Sequence, residues 1–370
     1  MASGCGLEAA NKFYLANRKK LDEGFEVAWK ERFTKREISA EQSAYNMLLK
    51  LKDAFWKECQ NQPKSDDETE DLLTVEQIQA KVNGFHHRTV PIESNLLTAF
   101  VDIQSQLLYW LVLATNTQTF TSAAIDYGAW PEQRQSYYTL KGVSKTLGKA
   151  YPKAGREGRI RAGLFELIAM LADRRYRMPD GTTELSLKLI GLDASWESRV
   201  VQNVAIESPH AALLLPRFGR GIKADDAPFE AWKPKPGERR GIGWKIRPAE
   251  GGGRYALIDT NYWKNFTHAR LAVADGDPGS LTLFRPDKNT RSTHRMLAEH
   301  CRAERREESK TNERTVQIWK EKSNKPDNHF FDCLVGAISM AGVEGAALKE
   351  LQISRPAARR RPKRKTSIKF

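Results

Sequence analysis

The sequence predicts an α/β protein in which a mixed five-stranded sheet with flanking helices, over residues 91–345, follows a helical region, residues 1–90, and precedes a basic tail, residues 346–370. Three observations predict it. Before residue 90, apolar residues recur at three- and four-residue spacing among charges, the period of helices. Beyond Leu97 the pattern changes to short apolar runs alternating with amphipathic stretches, in the order β-β-β-α-β-α-β. After Ser354 there are eight Lys and Arg, no acid and little to bury, a composition that stays disordered alone.

The elements follow in order. Phe13, Tyr14, Leu21, Phe25, Val27, Ala28 and Trp29 mark the first helical segments. Ser39 and Gln42 form a capping-box pattern ahead of a helix through Tyr45, Met47, Leu48, Leu51 and Phe55 to about Cys59. Pro63 stops it, because a proline disfavours helical geometry in the residue before it. Residues 64–71 are acidic and polar, a loop; residues 72–83 read as a short helix opened by Thr74. Residues 99–103 are an apolar strand with one acid inside, 107–114 a continuous apolar strand and 120–127 a third. A helix over 158–174 sets Ile160, Leu164, Leu167, Ile168 and Leu171 on one face. Residues 185–192 form a strand ending in Asp193, 197–207 a helix and 211–215 the fifth strand. Residues 217–325 read as an insertion, broken repeatedly by glycine and proline. It holds two strands, 255–258 and 281–284, and a helix over 292–306. Residues 328–340 are the final helix.

Lys and Arg number 60 against 46 Asp and Glu, a net charge of +14 and a pI near 9.5. Such a chain is steered towards polyanions. The four cysteines, Cys5, Cys59, Cys301 and Cys333, have no CxxC spacing, which argues against a disulfide framework or a zinc ribbon and fits a reducing cytoplasm. His86-His87, and His294 with His300 and Cys301, match no common metal module. The densest apolar run, 107–114, is far shorter than the roughly 20 residues that span a bilayer. No nucleotide cofactor is expected. The nearest P-loop lookalike, residues 142–150, has one residue too many, and Ala150 stands where a metal-binding hydroxyl belongs.

Three acids stand out by position. Asp102 lies inside the first strand of the sheet, Asp193 ends the fourth and Asp332 opens the last helix. An aspartate within a buried strand is costly unless its charge is compensated, and Mg²⁺ supplies such compensation through oxygen ligands. Three carboxylates at one sheet edge can hold two ions, which activate water and stabilise the leaving oxygen of a phosphodiester. A structural alternative is open for each: an aspartate also caps helices, and Asp193 ahead of Ala194 and Ser195 fits an N-cap.

The strand order is similar to a ribonuclease-H-like fold whose last helix is displaced by a long insertion. Several segments resemble the lambda-like, GpA-type terminase large subunit of phages, in its nuclease portion. AFVDIQ at 99–104 resembles a nuclease strand, IDYG at 125–128 with Trp130-Pro131 a third strand and turn, and LDASW at 192–196 a second acidic motif. DTNYWK at 259–264 and NHFFDC at 328–333 are similar to late motifs, and segments around Trp29, Ser39 and Glu58 to the lead-in. The resemblance implies a DNA endonuclease with two Mg²⁺ or Mn²⁺ ions, Asp102 bridging both and Asp193 and Asp332 each completing one site. His329, Asp126 and Asp259 become supporting candidates, with Glu299 a further acid. Double-stranded DNA is the implied partner, joined by a small terminase subunit, a separate packaging ATPase and a portal, in the cytoplasm of an infected or lysogenic bacterial host. Without a P-loop the chain reads as the nuclease part of a packaging motor, split or truncated.

DNA contacts are expected from Arg217, Arg220, Lys223, Arg239, Arg240 and Lys245 in the glycine-broken region, and from Arg359, Arg360, Arg361, Lys363, Arg364 and Lys365 in the tail. Two alternatives are distinct. One is a catalytically dead DNA-binding or packaging subunit, a prophage remnant. The other is a different enzyme on the same fold, such as a transposase or resolvase.

Overall fold

The computed structural model describes residues 7–27, 29–51, 72–249, 251–286 and 294–348. The chain divides into two compact units, residues 1–71 and 72–370. In the first, α1 (Leu7–Leu21) and α2 (Ala40–Leu51) are helical as expected. Half of the expected Ser39–Gln42 capping box forms: the Gln42 amide donates to Ser39 Oγ at 3.3 Å, but Gln42 Oε1 accepts from the Ile38 amide, at 2.6 Å, and not from that of Ser39. The rest of that helix, the acidic loop and the basic tail beyond residue 348 lie outside the described residues.

The second unit opens with α3 (Val75–Gln79), capped by Thr74. It is short because β1 (Val82–His86) follows at once and pairs with a strand some 200 residues later, a contact no local pattern reveals. The further strands are β2 (Leu96–Ile103), β3 (Leu108–Thr115), β4 (Ser122–Trp130), the small hairpin β5 (Tyr176–Arg177) and β6 (Glu184–Leu185), β7 (Leu189–Asp193) and β8 (Leu214–Arg220). Then come β9 (Arg239–Gly241), β10 (Trp244–Pro248), β11 (Arg254–Asp259), β12 (Leu281–Arg285) and the hairpin β13 (Glu304–Lys310) and β14 (Thr315–Glu321). The helices among them are α4 (Leu147–Ala150), α5 (Arg156–Asp173), α6 (Ser198–Glu207), α7 (Thr260–Ala272), α8 (Arg295–Cys301) and α9 (His329–Val343).

The main sheet runs β1-β12-β4-β3-β2-β7-β8-β11-β10-β9. Its centre, β4-β3-β2-β7-β8, is the ribonuclease-H-like layout the sequence predicts: three antiparallel strands joined edgewise to two that run parallel to β2. The sheet has ten strands rather than five. The extra five come from residues 82–86 and 239–285, so part of the stretch read as an insertion widens the sheet at both edges. The helix expected over 292–306 ends at Cys301 because residues 304–310 pair across a hairpin with residues 315–321.

Helices cover both faces. Residues of α5 and α6 pack against one set of alternating side chains, including Ala99, Val101 and Val112. Residues of α9, α7 and α8 pack against the other, including Phe100, Tyr109, Leu111 and Leu113. Both β2 and β3 are buried along their whole length, which is why they read as continuous apolar runs rather than as alternation.

Candidate active site

Side-chain period along a strand is two, and registered neighbours share a face. Asp102 pairs with Tyr109 on β3, so it lies on the face covered by α9. On the other side Val101 pairs with Leu192, which puts Asp193 beside Asp102 at the next position. Asp193 pairs in turn with Arg217 on β8. One row of the sheet therefore reads Tyr109, Asp102, Asp193, Arg217. Asp102 is only 3% exposed. Asp193 ends its strand and accepts from the Ser195 amide at 2.9 Å. It does not cap the following helix, whose N-cap is Glu197.

Asp332 reaches this row because α9 lies close on β2. Gly336 and Gly191 sit on either side of the Phe100 ring, and a Cβ built on them would stand 2.1 Å and 2.5 Å from ring carbons. No side chain fits there; the two glycines let helix and sheet approach and set the first turn of α9 over Asp102. The three acids act together on one probe: burial, then the negative charge of Asp102, Asp332 and Asp193, keep the Cys333 thiol neutral.

Each acid already faces a basic group of the protein. The Lys264 ammonium lies 3.5 Å from Asp332 Oδ1 and is bound to both oxygens of the buried Glu304. Arg217 lies 3.6 Å from Asp193 Oδ2, with its guanidinium 4.6 Å from the centroid of the Phe100 ring. His329 Nδ1 lies 2.9 Å from Asp102 Oδ2, with its ring stacked on Tyr109 at 4.6 Å. Burial pushes the Asp332 carboxyl up to about 7, helped by the charges of Glu304 and Asp102 and opposed by Lys264 and Arg217. Burial disfavours the His329 imidazolium, but the hydrogen bond and charge of Asp102 outweigh it and raise that group. Gln104 completes the surroundings of Asp102, donating to its oxygens at 3.1 Å and 3.3 Å.

Lys264 and Glu304 were not among the candidates. Lys264 ends the DTNYWK segment and is buried one turn into α7, and a lysine between Trp263 and Phe266 on a helix was the available signal. Glu304 offered none, since only the hairpin brings it inward.

Other expected residues lie elsewhere. Asp126 pairs with Val112, which places it on the opposite face from Asp102, where His87, Arg88 and Arg174 surround it. Asp259 caps α7, accepting from the Tyr262 amide at 3.1 Å. Glu299 pairs with Arg295 and accepts from the Tyr137 hydroxyl. His294 is committed to Tyr127 and to the Phe284 carbonyl. Among the proposed DNA contacts, Arg220, Lys223, Arg239 and Arg240 are exposed. Lys245 is a correction: it is fully buried, held by the Phe229 carbonyl and by the rings of Phe229 and Trp232 at 4.1 Å and 4.8 Å, because a lysine stem in an apolar layer keeps its charge only by such partners. Arg217 is also buried and turned to Asp193. The tail residues 359–365 lie outside the described residues. Among the described residues no helix is long and apolar enough to cross a membrane.

A ribonuclease-H-like core with Asp102 and Asp193 on adjacent central strands, and Asp332 on the helix that covers them, defines the class: a nuclease-type α/β domain. The family comparison makes it particular. Residues 63–352 match the family described as "Terminase large subunit gpA, endonuclease domain", and the chain belongs to that family. No curated protein and no solved structure matches the chain.

Proposed function

We propose that the chain is an endonuclease that hydrolyses phosphodiesters of concatemeric double-stranded DNA during phage genome packaging, with Mg²⁺ or Mn²⁺ held by Asp102, Asp193 and Asp332. The observation that carries this reading is the row that sets Asp102 beside Asp193, with Asp332 brought over it by α9, in a chain of the terminase endonuclease family.

The donor set suits a hard cation, because every donor is a carboxylate oxygen. The charge balance suits it too. Burial above all, with the charges of Glu304 and Asp102, raises the Asp332 carboxyl against the pull of Lys264 and Arg217, and a bound cation would relieve that cost. Among the described residues no three ligating side chains surround one point, and Lys264, Arg217 and His329 each hold one of the acids. When bound, such ions lower the pKa of a water and stabilise the charge on the leaving oxygen. The chain's own residues do the positioning. His329 keeps a proton on Nδ1, donates it to Asp102 and so fixes that carboxylate; stacking on Tyr109 fixes the ring. Lys264 and Glu304 hold the approach to Asp332. A small terminase subunit, a packaging ATPase and a portal are the partners this role calls for, in the bacterial cytoplasm.

The occupied state of each acid supports a second reading, a DNA-binding subunit that does not cut. One experiment decides. Supercoiled plasmid is incubated with the purified chain in Mn²⁺, with EDTA and Asp102→Asn as controls. Nicking and linearisation are expected, abolished by EDTA and reduced roughly a hundredfold or more by the substitution, the scale for losing a group that stabilises charge in the reacting state. Bound DNA that stays uncut would favour the second reading; cutting by Asp102→Asn would remove that residue from the mechanism.

A further inference from the structure

Strands β8, β10 and β11 carry a groove of about 790 Å³ on the sheet face opposite the acid centre. Alternation along the strand fixes the face. Arg217 turns to Asp193, so Phe218 turns away, and its registered neighbour on β11, Leu257, turns with it. Tyr255, two residues before Leu257, shares that face. Phe218, Tyr255 and Trp232 pack on a small apolar cluster of Ile222, Phe229 and Leu257. All three rings are only half-buried, and all three line the groove.

Cations stand among the rings. Arg220, Lys235 and Arg247 are on the wall, and among the described residues no acid is. Arg247 shares Glu238 with Arg240, through a carboxylate that has no exposed surface, so one charge of that trio is left over. Arg220 and Lys235 are exposed, and neither side chain makes an ion pair or hydrogen bond with another described residue. The excess survives a count of every acid in the segment: over residues 218–259, nine Lys and Arg stand against six Asp and Glu.

A duplex turns its phosphates outward and hides the faces of its bases, so a duplex site needs cations alone. Rings interleaved with cations suit a single strand, whose bases stack on aromatic faces while its phosphates meet the charges. Placement agrees. Arg220 ends β8 three residues past Arg217, the partner of Asp193, so the groove reaches the same sheet edge about 10 Å beyond that row. A straight duplex lying on the acid centre does not turn round that edge onto the opposite face; a single strand can. Resting on the nuclease reading above for nucleic acid as the ligand, we propose that this groove binds single-stranded DNA, with Arg220 and Lys235 on its phosphates and a base stacked on Tyr255.

The test is binding of the full chain to a fluorescent oligothymidylate of about 16 nucleotides in EDTA, by anisotropy over a salt series, so that cleavage plays no part. Lys235→Gln and Arg220→Gln should each weaken binding several-fold and lower the slope of log K against log salt by about 0.7, the loss of one single-strand phosphate contact. Both positions are exposed, so the thermal midpoint should not move. Tyr255→Leu should weaken binding about tenfold and leave the slope unchanged, the mark of a lost stack. If Tyr255→Leu fails to fold, the two exposed positions decide. Unchanged affinity and slope in both, or no binding of the oligonucleotide by the unaltered chain, would overturn the groove. An equal loss of duplex binding in the same variants would overturn the single strand as its ligand, and displacement of the oligonucleotide by polyglutamate at equal charge would assign the groove to an acidic protein segment instead. Plasmid cleavage in Mn²⁺ tests the nuclease reading separately and survives any of these results.

Discussion

A lysine ammonium buried between two carboxylates is costly to remove, because its partners are then left charged and dry. Lys264 holds Glu304 and faces Asp332, and its burial alone would favour the neutral amine. The two acids reverse that and keep it charged. Lys264→Met should therefore destabilise the chain by roughly 3–5 kcal/mol, the usual cost of breaking a buried pair by removing one partner. A divalent ion offers those acids another counter-charge. Saturating Mg²⁺ should raise the urea midpoint of Lys264→Met by more than that of the unaltered protein, following the linkage between binding and stability. Equal shifts in both would mean that no ion reaches Asp332. At this scale the sequence revealed the acids and hid their partners. Asp102 stands out because a lone charge in an apolar run demands an explanation. Lys264 and Glu304 are 40 residues apart, and nothing local links them.

Among the elements, α9 decides whether the acid centre exists, since it alone carries both Asp332 and His329. Its seat depends on Gly336, where a Cβ would come within 2.1 Å of Phe100 Cγ. Gly336→Ala must push helix and strand apart and should cost about 1–3 kcal/mol, the range for overpacking a filled core. Activity should fall further than stability predicts, because Asp332 moves off the row of Asp102 and Asp193. Adding Phe100→Leu returns the space; the double variant should be more stable than the two single losses sum to, a coupling measurable by urea unfolding. Additive losses would mean that helix and strand do not meet there. The elements themselves were largely legible. The five central strands, α5, α6 and α9 all come from runs whose period matches their burial, and β11 and β12 were found within the supposed insertion. What failed was pairing at a distance: residues 82–86 and 304–310 join partners far along the chain or across a hairpin, and their own sequences carry a weak strand signal.

For the whole molecule, that long-range pairing turns a five-stranded core into a sheet of ten strands and buries two histidines among the added layers. His268 on α7 stacks on Trp319 of β14 at 4.7 Å, and burial, with nearby Arg302 and Arg306, pushes it down to about 3. His300 on α8 accepts from the Phe330 amide and is likewise pushed down to about 3, by burial and by His329. The unfolded chain binds protons at these positions near pH 6.5 and the folded chain does not, so stability is complete above that pH and lost as pH falls below it. Asp332 works in the opposite sense. Its folded carboxyl binds a proton up to about pH 7, well above its unfolded value, so acidification relieves part of its burden. The acid sensitivity of the molecule is thus a difference between opposing groups, and its total says little about any one of them. A single substitution isolates the histidine contribution. His268→Phe keeps the stack on Trp319 and removes the titration. At pH 5, about 1.5 units below the unfolded value, one such group costs roughly 2 kcal/mol. The stability lost between pH 8 and pH 5 should therefore shrink by about that amount in His268→Phe, read from urea unfolding at both values. An unchanged loss would place His268 in contact with water and the β13–β14 hairpin off the core.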